Sequence, residues 1–322
     1  MSARSHRPPS GPSPSPASGA APRTTPPRIG VYEKALPPAA DWHGTLAHAR
    51  AAGFDFIEIA VDESAERRAR LGWTSAEIAA LQRASLAEGL PVHTVILSAL
   101  RAIPLASPDA GLRDEAAGLL AAGIAFAARI GARILQVPGY YSFDRPAGPD
   151  GAARFTEALA AAAETASAHG VMLGIETMDG EDVTSVRAAL AHVEAVRSPW
   201  LALYPDVGNL AANGHDVDAE LRAGAGRLVG VHLKDARPGA FRRVPFGEGV
   251  VPFARAFATL ARLRYPGPFL IEMWNDGAED ADATLREALR FVRAAMAEGG
   301  YAIGGGYPIE GGDAIEGARA HR

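Results

Sequence analysis

The chain has no cysteine among its 322 residues, so neither a disulfide framework nor a thiolate metal site can be built from it. No apolar run approaches the roughly 18 residues of a membrane-spanning helix. Neither charge sign dominates. The formal net charge is −5, which gives no global attraction to nucleic acid or to an anionic membrane. The segment GVYEKAL, after the first β-type run, has no G-x-G-x-x-G, which argues against a doubly wound dinucleotide-binding sheet. Residues 1–27 hold no acidic residue and no apolar central stretch, so they do not read as a secretory signal. Their Pro-Ser repeats, such as GPSPSPASG, also make a poor amphipathic transit helix. These absences fit a cytoplasmic enzyme. Residues 1–28 are expected to form a disordered N-terminal tail and the glycine-rich residues 301–322 a disordered C-terminal tail, leaving 29–300 as the folded domain.

Between the tails, apolar β-type runs alternate with alanine-rich stretches whose apolar residues recur at i, i+3, i+4 and i+7. The β-type runs are RIGVYE, FDFIEIA, PVHTVILS, ARILQVPG, VMLGIE, LALYPD, LVGVHL and PFLIEMW. Alternation of this kind predicts a parallel sheet covered by helices, and eight strands close a (β/α)8 TIM barrel. Gly53, Gly89, Gly131 and Gly170 fall just past four of the helical stretches, where a left-handed C-cap favours glycine.

The segments GIETMDG, LYPDVGN, VHLKD and LIEMW each end an apolar run in one potential metal ligand: Glu176, Asp206, His232 and Glu272. Successive ligands lie 30, 26 and 40 positions apart, close to the roughly 30 residues of a βαβ unit. Any one acidic residue at a strand end is as readily a helix N-cap. Four ligands on strands five to eight converge, because barrel strands are about 4.8 Å apart, and three buried carboxylates call for a cation. Oxygen and imidazole donors suit one divalent ion such as Mn, Zn, Mg or Co. Other polar residues point less clearly. Glu58 and Asp62 flank the end of the second strand and face either the mouth or a loop. His93 falls at the barrel bottom, His43, His48 and His169 on helix surfaces, and His215 in the loop after strand six.

At these residues the chain resembles the L-xylulose 5-phosphate (L-ribulose 5-phosphate) 3-epimerases of ascorbate utilisation, within the xylose isomerase-like superfamily. GVYEKALP, AGFDFIEIAVDES, RLGW, LSALR, YPDVGNL, HLKDARPG, FRRVPFGEGVVPF and FLIEMW carry the likeness. The resemblance implies a carbohydrate phosphate 3-epimerase, an isomerase. Its divalent metal would be held by Glu176, Asp206, His232 and Glu272, with Glu176 and Glu272 doubling as acid and base. The chemistry is consistent with that set: inversion beside a ketone needs one carboxylate on each side of the sugar and stabilisation of an enediolate. For the substrate, Lys34, Arg101, Asn209 and Lys234 are the expected contacts, Lys34 and Arg101 for the 5-phosphate. The loop from Arg242 to Gly249 offers amides or a closing flap. Free-ketose epimerases commonly carry a histidine a few residues after the metal aspartate, where this chain has Asn209. Epimerases of unphosphorylated ketoses and hydroxypyruvate isomerases remain alternatives, and DNA-repair endonucleases, richer in histidine, a more distant one. The expected partner is a small-molecule sugar phosphate, not nucleic acid or membrane, with a homodimer as the assembly kept in view.

Overall fold

The structure, a computed structural model, describes residues 26–143, 146–277 and 280–303; most of both expected tails lies outside them. Eight short parallel strands form the centre: β1 (Ile29–Tyr32), β2 (Phe56–Ala60), β3 (Val92–Ile96), β4 (Ile134–Pro138), β5 (Met172–Glu176), β6 (Leu201–Tyr204), β7 (Val231–Leu233) and β8 (Phe269–Ile271). Their order is β6-β5-β4-β3-β2-β1-β8-β7. Parallel bridges Leu203↔Leu228 and Asp206↔His232 join β6 to β7 and close the barrel. These eight are the eight expected runs.

The described α-helices are α1 (Trp42–Ala52), α2 (Ala65–Arg68), α3 (Ser75–Glu88), α4 (Ala110–Ile130), α5 (Gly151–His169), α6 (Val186–Val196), α7 (Val207–Ala212), α8 (Val217–Ala223), α9 (Phe253–Arg262) and α10 (Ala281–Glu298). Glycine ends four of them as the sequence predicts: Gly53 and Gly131, for example, adopt φ 96° and 85°, values that a Cβ disfavours. A Thr74–Glu77 capping box starts α3. None of the described helices is long and apolar enough to cross a membrane.

Strand alternation divides each run between two environments. In β2, Ile57 and Ile59 join the large core under the helices, whereas Phe56 and Ala60 join Tyr32, Ile96 and Leu270 in a small cluster. Room for the large interior rings comes from neighbouring glycines. A Cβ on Gly30 would stand 2.2 Å from Phe56, and one on Gly230 2.2 Å from Tyr204.

Both ends of the folded region reach slightly past the expected bounds. The Arg28 carbonyl accepts a hydrogen bond from the Phe269 N–H at 3.0 Å. Tyr301 packs edge-on against Phe257 and Phe269, and its hydroxyl donates to the Tyr265 carbonyl at 2.8 Å.

The fit at Gly230 gives a stability prediction. Gly230→Ala should cost about 1–3 kcal/mol, because the Tyr204 ring has no room to retreat. Gly118→Ala, on an exposed and unobstructed face of α4, should instead add about 0.5–1 kcal/mol. Urea unfolding midpoints of the two variants should move in opposite directions, and matching midpoints would refute the packing argument.

Candidate active site

All four expected ligands meet at the carboxyl-terminal mouth of the barrel. Glu176 ends β5, Asp206 lies two residues past β6, His232 lies within β7, and Glu272 follows β8. One donor atom from each lies within 4.8 Å of the others, and all four residues are buried. Asp206 combines the two roles weighed for such a residue. Its Oδ1 accepts the Asn209 N–H at 2.9 Å and caps the short helix α7 (Val207–Ala212). Its Oδ2 faces the cluster without an aligned hydrogen-bond donor.

The histidine is held from both sides. Its Nδ1 is 2.6 Å from Glu176 Oε1 and 3.8 Å from Glu272 Oε2. Its Nε2 is 3.1 Å from Glu58 Oε1, and the Tyr204 ring packs edge-on at 4.7 Å. A carboxylate on Nε2 fixes the ring and turns Nδ1 toward the cluster, the support that metal-ligating histidines receive. Gln136 Nε2 likewise donates to Glu176 Oε2.

Lys234, two residues after His232, shares its inward face. The ammonium is buried, 2.8 Å from Asp206 Oδ2 and 3.0 Å from Glu272 Oε2. These charges set the proton affinities. Burial raises the Glu176 carboxyl above its usual range, with Glu272 adding to the effect while His232 and Lys234 oppose it. Burial likewise pushes Asp206 up to about 7, against the pull of Lys234. Burial acts the same way on Glu272, but Lys234 and His232 overcome it and lower that carboxyl to about 2. The two glutamates are thus shifted in opposite directions, the asymmetry that an acid–base pair uses.

The expected substrate contacts lie at different depths. Asn209 is buried under Asp206, its amide nitrogen donating to the Thr177 carbonyl at 2.8 Å. Lys34 stands at the rim, 2.5 Å from Asp62 and over the Tyr32 ring. Arg101, in the 3-10 turn after β3, covers the Tyr140 and Phe143 rings. The amides of the Arg242–Gly249 loop are committed elsewhere. Asp235 accepts the N–H groups of Gly247 (2.8 Å), Gly249 (2.9 Å) and, more weakly, Val251 (3.4 Å). Phe246 packs against Phe253 and Phe291. The Pro245–Gly249 turn is therefore a pinned wall and not an anion-binding turn.

Two polar residues that the sequence reading did not assign belong to the site. Glu58 and Gln136 occupy middle positions of buried strands, FIEIA and ILQVP. A charged or amide side chain at such a position was the available signal. The other described histidines lie away from the cluster: His93 packs on Phe56, His43 and His48 pair with Glu88 and Asp282, His169 bonds its own helix, His192 contacts Tyr141 and Thr156, and His215 contacts Thr184. A cavity of about 690 Å³ extends from Glu272 and Lys234 toward α10. A larger depression of about 1090 Å³, beside Trp42 and Trp73, includes none of the four clustered residues.

Fold and site together define a parallel (β/α)8 barrel with a buried carboxylate–histidine group, able to hold a metal ion, at its catalytic end. The chain belongs to the xylose isomerase-like TIM barrel family, whose model matches residues 46–295. It is 43% identical to an L-ribulose-5-phosphate 3-epimerase, UlaE, of Escherichia coli O157:H7 (strain EC4115 / EHEC), over 84% of this chain and 96% of that protein. Among solved structures it superposes on a D-psicose 3-epimerase from Clostridium cellulolyticum H10, with a TM-score of 0.72, 18% identity, and 84% of this chain and 99% of the other covered. An L-ribulose 3-epimerase gives a TM-score of 0.72 at 22% identity, over 85% of this chain and 95% of that one. At these identities the two structures speak to the fold.

The Asp235 anchor can be tested directly. Asp235→Ala removes the charged acceptor of at least two part-buried loop N–H groups, and a hydrogen bond to a charged group contributes about 1.5–3 kcal/mol. Amide exchange at Gly247 and Gly249 should accelerate at least about tenfold, since 1.4 kcal/mol of opening free energy is a factor of ten. Unchanged protection there would show that the loop is held by its aromatic contacts alone.

Proposed function

We propose that this protein is a metal-dependent 3-epimerase of a 5-phosphorylated ketopentose, interconverting L-ribulose 5-phosphate and L-xylulose 5-phosphate. The observation that carries it is the pair of buried glutamates, Glu176 and Glu272, converging on His232 Nδ1 from β5 and β8. The curated relative named for this reaction, aligned over nearly its whole length, supports the substrate class.

Inversion at C3 requires one group to remove the proton from one face and another to return a proton to the opposite face. Glu176 and Glu272, on strands that flank β6 and β7 in the chain, supply two carboxyl groups held to different proton affinities. The electron pair left at C3 delocalises into the C2 ketone as an enediolate, and reprotonation from the other side gives the epimer. Burial keeps bulk water from quenching the carbanion. Lys234 orients Asp206 and Glu272, and Glu58 orients His232.

Three carboxylates and an imidazole nitrogen, with the unaligned Asp206 Oδ2 facing inward, fit one hard or borderline divalent ion, Mn, Zn, Mg or Co. Bound there, such an ion supplies Lewis-acid stabilisation of charge at the substrate oxygens.

Two measurements follow. Elemental analysis should find one divalent ion per chain in the wild type and loss of that ion in a Glu176/Asp206/His232 triple alanine variant that remains folded. Equal metal in both proteins would overturn the assignment. Glu176→Gln and Glu272→Gln should each lower kcat by about a hundredfold or more, since an amide cannot carry the proton. A variant that keeps over about a tenth of wild-type turnover, a barrier change under about 1.4 kcal/mol, would remove that residue from the acid–base pair.

A further inference from the structure

The barrel interior next to His232 carries three polar groups among apolar neighbours such as Phe56, Ala60 and Ile96. Glu58 of β2, Thr94 of β3 and Tyr204 of β6 are all fully buried. Glu58 and Thr94 are in register on adjacent strands, and Tyr204 is in register with Glu176. Glu58 commits one oxygen, Oε1, to His232 Nε2 at 3.1 Å. Its other oxygen, Oε2, the Thr94 hydroxyl and the Tyr204 hydroxyl are buried without a hydrogen-bond partner among the described residues.

The three groups act on one another. Burial first, and then the charge of Glu58, hold the Tyr204 hydroxyl in its protonated form, while the Thr94 hydroxyl opposes them as a hydrogen-bonding neighbour. The Tyr204 ring is wedged in place, since a Cβ on Gly230 would lie 2.5 Å from its Cζ and one on Gly174 3.0 Å from its Cδ2. The same ring packs edge-on against His232 at 4.7 Å. His232 is therefore supported by Tyr204 on its flank and by Glu58 on Nε2, and each support carries an unpartnered polar atom.

We infer that Glu58, Thr94 and Tyr204 form a binding site for one ordered water in the barrel interior, and that this water, through the Glu58 carboxylate, fixes His232 as a metal ligand. The inference rests on the metal-dependent reading above and extends it one layer deeper into the barrel. The donor set suits water. A carboxylate oxygen only accepts, whereas each hydroxyl both donates and accepts. One water gives a hydrogen to Glu58 Oε2 and takes one from each hydroxyl, and buried waters typically make about three such bonds to groups otherwise unsatisfied. A cation would find only one carboxylate oxygen here. The carboxylate behind a metal-ligating imidazole sets the orientation of the ring, and it is usually hydrogen-bonded in turn. A bond to Oε2 stops the Glu58 carboxyl from rotating and carrying Oε1 away from Nε2. Tyr204 and Thr94 are then positioning residues that act on the ion through Glu58 and His232.

The test titrates manganese(II) and zinc(II) into the metal-stripped full chain and compares the wild type with Glu58→Gln, Tyr204→Phe, Thr94→Val and Thr94→Ser. Glu58→Gln should weaken ion affinity by about ten- to a hundredfold, the scale of losing a carboxylate behind a ligating histidine. Tyr204→Phe, which keeps the ring, and Thr94→Val, which keeps the shape, should each weaken it by about three- to tenfold, the scale of one neutral hydrogen bond. Thr94→Ser keeps the hydroxyl and should bind as the wild type does. In the Glu58→Gln background, Tyr204→Phe should have no further effect, because its route to the ion runs through that carboxylate. A crystal structure of the wild type at high resolution should show one water within hydrogen-bonding distance of all three groups. If that water is absent, if Tyr204→Phe and Thr94→Val bind the ion as tightly as the wild type, or if Tyr204→Phe costs the same in both backgrounds, the inference falls while the metal site stands. If the wild type binds neither ion, the metal-dependent reading fails, and this inference with it.

Discussion

The concentration of charge in the barrel mouth constrains everything around it. Glu58, Glu176, Asp206 and Glu272 are all buried, against Lys234 and His232 as the only basic side chains in direct contact with them among the described residues. Removing a carboxylate from water costs several kcal/mol unless a charge or a set of donors offsets it. Lys234 partly meets that cost for Asp206 and Glu272, and His232 does so for Glu176 and Glu58. The excess of negative charge is the electrostatic reason why a divalent cation suits the cluster.

Holding such a cluster together requires rigid supports, and the barrel provides them through alternation. His232 and Lys234 share a face because they are two residues apart on one extended run. Glu58 reaches His232 from β2 because it occupies an interior position between Phe56 and Ala60. Below them, the Tyr204 ring fills the space left by Gly174 and Gly230 and supports the imidazole. Asp235, the residue after Lys234, turns its carboxylate to the Gly247 and Gly249 amides instead. One short segment thus supplies a cluster histidine, its neighbouring cation and the anchor of an adjoining wall.

How much of this could be read from the chain follows from the range of each interaction. The barrel and the four clustered residues were legible because each signal is local: an apolar run with an acidic residue or histidine at its end, repeated at βα spacing. Glu58 remained ambiguous because its partner lies 174 positions away, and only barrel closure brings β2 and β7 together. The amides of the PFGEG turn looked available for an anion because nothing local shows that Asp235 has claimed them. Lys34 follows a strand end just as Arg101 does, yet Asp62 pairs with the first and aromatic rings stack under the second. Sequence position alone does not separate those two outcomes.

The rim and the cluster are coupled through short backbone spans. Glu176 and Asp179 belong to the same loop, and Tyr140 follows β4, whose Pro138 is in register with Glu176. Tyr140 and Asp179 are therefore located relative to Glu176 by only a few covalent bonds or ladder contacts of protein. Binding energy from a remote, non-reacting group raises turnover only when it fixes the reacting carbon, and a positional error of about 1 Å can cost a hundredfold. Any substrate contact made from the loops of Tyr140 or Asp179 would act at that short range from Glu176, whereas the turn pinned by Asp235 is held from a separate segment of the chain.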